Sequence, residues 1–262
     1  MSERGITFPP PAGHPLGTNP AFRFCTSIGI PILSAITRRD WRGIENIPRT
    51  GRAIVASNHV SYSDVLFLTQ FLYVNGRAPR YLGKESLFRV PIIGRILTAA
   101  EQIPVDRQTK DAHKALELGI AALAAGHLVG MYPEGTLTRD ENFWPMVGKT
   151  GAARLAVTTQ TPVIPIAAWG PQLVLPAYSK RPHIWPRTVV SYHAGPPLDL
   201  SPWYGHENDP VAMAEATALI MKTLTRMLEQ MRGEPAPLLP FDPHLSHLPK
   251  TGNFKKPKRA KD

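Results

Sequence analysis

The phrase Ala53-Ile54-Val55-Ala56-Ser57-Asn58-His59-Val60-Ser61-Tyr62-Ser63-Asp64 sets a histidine between an apolar run that reads as a strand and one that reads as a helix. Loops at the ends of strands in α/β proteins are where ligands bind. An imidazole there can take a hydroxyl proton near neutral pH. A carboxylate on its other nitrogen would fix the tautomer and stabilise the imidazolium, and Asp64 stands five residues on. Five helical residues turn through about 500°, so the two can meet only if His59 lies in the turn rather than in the helix. Asp64 has a second reading, as the carboxylate of a capping box opened by Ser61. With nine histidines in 262 residues, about 0.3 such pairs arise by chance, so the pair alone is a weak motif.

Further phrases follow in order. Ile103-Pro104-Val105-Asp106-Arg107 places a planar, permanently charged fork where it can hold a phosphate, or simply pair with Asp106. Tyr132-Pro133-Glu134-Gly135-Thr136 offers a carboxylate, a glycine that permits close approach and a hydroxyl, yet is also ordinary turn chemistry. Val163-Ile164-Pro165-Ile166 is an apolar pair around a proline. Together the four phrases resemble the ordered motifs of the glycerolipid acyltransferase family that includes 1-acylglycerol-3-phosphate acyltransferases. Its first motif is Asn-His, four residues, then Asp, met here by Asn58, His59 and Asp64. Four motifs in order are far more specific than any one of them.

The resemblance implies His59 as general base and Asp64 as its orienting carboxylate. It implies Arg107, Glu134, Gly135 and Thr136 as the acceptor site, with Glu134 taking a bond from a glycerol hydroxyl or holding a cation. Asn58, Lys84 and Pro165 would support it. One departure bears on the acceptor: many relatives carry arginine after Glu-Gly-Thr, whereas this chain reads Leu137-Thr138-Arg139. Arg139 and Lys149 are candidate replacements for that phosphate contact, with Lys84 similarly set between strand and helix. For both lysines plain solvent exposure is the simpler reading. No Gly-x-Ser-x-Gly elbow or Walker-type loop occurs, which argues against a serine hydrolase and a nucleotide triphosphatase. His244 and His247 have a metal-like spacing without further ligands nearby, so no metal site is expected.

The elements that must position these residues are short apolar runs at 53–57, 80–83, 102–105, 128–132, 162–168 and 188–193, alternating with helical phrases. Leu116, Ile120 and Leu123 recur at helical spacing before Gly126. A last long helix should open at Asp209-Pro210 and stop at Gly233. The expected fold is α/β, a central mostly parallel mixed sheet flanked by helices. Residues 1–20, rich in proline and glycine, read as a flexible N-terminus without a secretory signal. Residues 21–42 read as a membrane-associating helical segment, too interrupted to span, with Trp41 among arginines as an interfacial anchor; a surface helix on its own core is the alternative. Residues 43–232 would form the acyltransferase domain, and 233–262 a proline-rich basic tail, disordered and able to touch anionic lipid.

At 43% hydrophobic and 19% charged the chain can bury a core. A single cysteine, Cys25, excludes an internal disulfide and suits a reducing cytosol. The formal charge of +10 draws it to polyanions. Nucleic acid is not expected, because much of the surplus lies in the last residues without a recognised binding motif. The resemblance implies transfer of a fatty acyl group from acyl-CoA or acyl carrier protein to the free hydroxyl of lysophosphatidic acid, with no cofactor, at the cytoplasmic face of the cell membrane. The same chemistry on glycerol-3-phosphate or another lysophospholipid is an alternative, and a non-catalytic membrane-binding relative is a third.

Overall fold

The computed structural model describes residues 8–105, 112–179, 181–243 and 245. In chain order the elements are α1 (Pro20–Ile36), β1 (Thr37–Arg42), β2 (Ala53–Ser57), α2 (Asp64–Val74), β3 (Pro79–Lys84), α3 (Glu85–Phe88), α4 (Ile93–Ala99), β4 (Ile103–Val105), α5 (Ala112–Ala124), β5 (Leu128–Met131), α6 (Gly151–Thr159), β6 (Val163–Trp169), α7 (Pro171–Val174), β7 (Thr188–Ala194) and α8 (Pro210–Arg232). The strands form one seven-stranded sheet in the order β1-β7-β6-β2-β5-β3-β4. Every described neighbouring pair is parallel except β6 and β7. This is the α/β class with a mostly parallel mixed sheet that the sequence predicts.

The central strands β2, β5 and β6 read as apolar runs because both sheet faces are covered there. Ile54 and Ala56 of β2 pack with Val129 and Val163 under α5, α6 and α8. Their neighbours Ala53 and Val55 turn to the other face, with Leu128, Ile164 and Tyr81, beneath Phe67, Leu68 and Phe71 of α2 and Leu33 and Ile36 of α1. Alternation along each strand thus supplies two cores. Helix α8 begins as expected, with Asp209 accepting from the Val211 N–H at 2.8 Å and proline in the first turn, and it ends at Gly233 in the left-handed conformation.

The expectation for 21–42 is corrected in part. The helix stops at Ile36, and residues 37–42 form an edge strand parallel to β7. Only Thr37 in that strand is buried, so the sequence carries little strand signal, and its charged residues suit an edge. Trp41 packs edge-on against Phe71 at 5.4 Å with Arg39 over its ring at 4.8 Å, so it joins a core rather than serving as an anchor. Among the described residues no helix is long and apolar enough to cross a membrane.

The strand order places β2 and β5 side by side at the centre. From β2 the chain runs through α2 on one face to β3, and from β5 through α6 on the other face to β6. The two connections leave to opposite faces, so the loops after β2 and β5 meet at the C-terminal end of the sheet, the side on which open α/β sheets bind ligands.

Candidate active site

The loop from β2 into α2 carries His59, and Asp64 is the first residue of the helix. His59 lies in the turn, which satisfies the condition set by the five-residue spacing. Its Nδ1 is 2.8 Å from Asp64 Oδ2. The same oxygen accepts the backbone N–H groups of Val60 at 2.7 Å and Ser61 at 2.8 Å. An oxygen accepting two N–H groups acts as acceptor to the third, so Nδ1 carries the ring hydrogen and Nε2 presents its lone pair. Nε2 has no partner among the described residues, and the side chain keeps 16% of its surface open. The bond from Ser61 N–H to Asp64 is also the carboxylate half of a capping box, so the two readings of Asp64 coexist.

The loop is held from three sides. Asn58 pairs with the backbone of Ala168 in β6 through both amide atoms, at 3.0 and 2.8 Å. Thr138 N–H donates to the His59 carbonyl at 2.8 Å. Glu134 Oε1 accepts the His59 N–H at 3.0 Å, while its Oε2 accepts the Met146 N–H at 3.0 Å. The expected role of Glu134, taking a bond from a glycerol hydroxyl or holding a cation, is therefore corrected: it is buried with both oxygens on backbone amides, clamping the β2 and β5 loops together. Burial pushes its carboxyl up to about 8, against the Met146 and His59 N–H donors that favour the ionised form; the charges of Asp64 and Asp140 add to the upward push.

Around this clamp, Gly135 sits at φ +71°, where a Cβ would come within 3.0–3.1 Å of the end of the Lys149 side chain. Lys149 is exposed and lies just before Thr150, which opens α6; Thr136 is half-buried beside it. Leu137 and Arg139 are both buried, so position 137 offers apolar packing and Arg139 is enclosed rather than facing an open groove. Lys84 is exposed at the start of α3. Pro165 is buried in β6 opposite Ala56, with its ring against the space over Gly195 that Met227 also fills. Its neighbours there, Ala56 and Met227, belong to the sheet and to α8. Strand β4 ends at Val105 on the same edge as β2, but Asp106 and Arg107 lie outside the described residues, as do His244 and His247. Among the described residues no group of three or more His, Cys, Asp or Glu could hold a metal ion.

Sequence reasoning missed Tyr132 as part of the site. Its ring stacks on the His59 imidazole, with centroids 4.1 Å apart and planes 20° apart. The only signal was its place at the head of the Pro-Glu-Gly-Thr phrase.

A histidine whose Nδ1 is held by a buried carboxylate, at the C-terminal end of the parallel strands, is an arrangement that can activate a hydroxyl or water. The chain belongs to the acyltransferase family, which matches residues 38–169, half of its length and all of the elements that hold this site up to β6. It is similar to a chloroplastic 1-acyl-sn-glycerol-3-phosphate acyltransferase from Brassica napus, 28% identical over 145 residues, 55% of this chain and 40% of that protein. A protein of the same name from Borreliella burgdorferi is 30% identical over 128 residues, 48% of this chain and 49% of that one. The matched segment thus spans less than half the length of either. A Bacillus subtilis protein of that name is 27% identical over 216 residues, 80% of this chain and 100% of its own. The crystal structure of the 1-acyl-sn-glycerophosphate acyltransferase PlsC from Thermotoga maritima shares the fold, with a TM-score of 0.62 at 20% identity, over 82% of this chain and 81% of that one.

Proposed function

We propose that this protein transfers a fatty acyl group from a thioester, acyl-CoA or acyl carrier protein, to the free hydroxyl of 1-acyl-sn-glycerol-3-phosphate, making phosphatidic acid. The observation that carries the reading is the His59–Asp64 pair, with Nδ1 committed to Asp64 and Nε2 left to accept. The acceptor oxygen attacks the thioester carbonyl carbon while Nε2 takes its proton. The C–O bond forms, the C–S bond breaks, and the imidazolium returns the proton to the leaving thiolate. Asp64 stabilises the imidazolium in between. Holding donor and acceptor together supplies much of the rate in such a two-substrate reaction. Arg107 binds the acceptor phosphate, with Lys149 as a second cation at the mouth of the β5 loop; the motif order supports the first and exposure beside Gly135 the second. The relatives' names support the acceptor, and the donor rests on the chemistry alone.

The protein would work on an anionic bilayer, docked at its cytoplasmic face. Phe24, Ile28 and Ile32 recur every four residues on α1 at 67%, 50% and 55% exposure, a stripe facing away from the core. The tip between α3 and α4 adds Ile92, exposed at 70% and held at φ +69°, a strained backbone for a β-branched residue. Arg89 and Arg95 flank it.

The test is purified protein with labelled acyl-CoA or acyl carrier protein and a panel of acceptors that includes glycerol-3-phosphate and several lysophospholipids, run beside His59→Ala. Acyl transfer to lysophosphatidic acid should fall to background in the variant. Equal activity in both would overturn the mechanism, and preference for another panel member would move the acceptor.

A further inference from the structure

One hydrogen bond fixes a point and a direction but not a plane. The Nδ1 bond to Asp64 leaves the imidazole free to tilt about that axis, carrying Nε2 away from an acceptor. We infer that Tyr132 is the positioning residue that fixes the plane of His59, through a three-ring stack in which Tyr81 backs Tyr132 and Gly130 makes the room. The inference rests on His59 being the base of the proposed transfer.

The three rings come from three neighbouring strands. His59 follows β2, Tyr132 follows β5, and Tyr81 lies in β3, directly opposite Gly130 of β5. His59 and Tyr132 are 4.1 Å apart and 20° from parallel; Tyr132 and Tyr81 are 6.4 Å apart and 12° from parallel. A Cβ on Gly130 would sit 2.4 Å from Tyr81 Cε1, so any other residue there would push Tyr81 out of the stack. The Tyr81 hydroxyl is anchored by the Thr69 hydroxyl at 3.2 Å. Tyr132 has no such anchor: its hydroxyl is buried without a hydrogen-bond partner among the described residues. The ring face, not the hydroxyl, is therefore what Tyr132 contributes. An aromatic face also suits the cation that forms on His59 during proton transfer.

Tyr132→Phe keeps the face and Tyr132→Leu removes it. The leucine variant should lose about 10–100-fold in kcat, the scale of a misplaced catalytic group, with acceptor KM unchanged within about twofold, since ground-state binding is not involved. The phenylalanine variant should stay within about threefold of wild type, because only a partnerless hydroxyl is lost. Proton NMR gives a readout without substrate: the low-field resonance of the His59 Nδ1 hydrogen should persist in wild type and Tyr132→Phe and broaden in Tyr132→Leu. Tyr132→Met, which fills volume without a ring, replaces leucine if that variant does not fold. The inference is overturned if leucine or methionine keeps both kcat and the resonance, or if phenylalanine falls as far as leucine. If wild type transfers no acyl group while the resonance follows the pattern, the positioning stands and the reaction assigned to His59 fails.

Discussion

Asp64 gathers two backbone N–H groups and the imidazole N–H on a single oxygen, and the helix it opens adds the favourable field of its N-terminus. Asp64→Asn keeps the size but places a donor or a weaker acceptor there, so the tautomer of His59 is no longer fixed. A loss of about 10²–10⁴-fold in kcat is expected, read from steady-state kinetics with the acceptor saturating. Glu134 makes a prediction of the opposite kind, about stability. Its carboxyl titrates near 8 in the folded protein against an ordinary value of 4.5. Between those two pH values the native state holds the proton more tightly than the unfolded chain, so this group stabilises fully below 4.5 and the contribution is lost as pH rises through 8. Glu134→Gln cannot titrate, and it leaves one of two backbone N–H groups facing an amide NH₂, which costs about 1–3 kcal/mol. Thermal midpoints measured across that range should show the wild type's advantage over Glu134→Gln shrinking as pH rises. A constant difference would mean that Glu134 is ionised throughout.

At the scale of elements, the site depends on a loop that is tied down far from the chemistry. Met146, whose N–H Glu134 accepts, ends a segment whose Trp144 lies under the Arg232 guanidinium at 4.1 Å. Arg232, at the end of α8, also lies 4.2 Å from Trp169 of β6 and donates to the Asn142 carbonyl at 2.7 Å. A planar cation between two indoles cannot be replaced by a lysine ammonium. Arg232→Ala should lower stability by about 1–2 kcal/mol in a denaturant midpoint, with Arg232→Lys recovering only part. Helix α1 presents the other element-scale test. Its inner side joins the core through Leu33 and Ile36, so the outer stripe can be altered without touching the core. Phe24→Ser with Ile28→Ser removes two side chains each worth about 1.5–3 kcal/mol on burial. Sedimentation with anionic vesicles should show at least a tenfold weaker association, while activity on dispersed short-chain acceptor is retained.

The molecule as a whole is a sheet covered on both faces whose central strands hand their loops to one end of the sheet. No serine or cysteine among the described residues bonds Nε2 of His59. Of the two hydroxyls nearest in sequence, Ser61 donates to the Leu175 carbonyl at 2.7 Å and Ser57 to the Asn58 carbonyl at 3.3 Å. The transfer proposed for His59 is therefore a direct one, within a ternary complex. Initial-rate patterns should be sequential, with no release of thiol before the acceptor is added; a burst of thiol in its absence would point to an acyl-enzyme and sink the direct route.

The sequence alone determined the α/β class, because strands buried on both faces must be written as short apolar runs, and it determined the ends of α8, because caps are local. It brought forward His59, Asp64 and Asn58 because motif order is a property of the chain. What only the tertiary structure decided depends on groups distant in sequence. Strand β1 exists because β7 offers it hydrogen bonds, so its charged residues gave no warning. Glu134 could not be recognised as a clamp from its own phrase, since the amides it accepts lie 75 and 12 residues away. The stack of His59 on Tyr132 and Tyr81 needs β2, β5 and β3 to be neighbours, and strand order is settled by how two cores close, not by any local pattern.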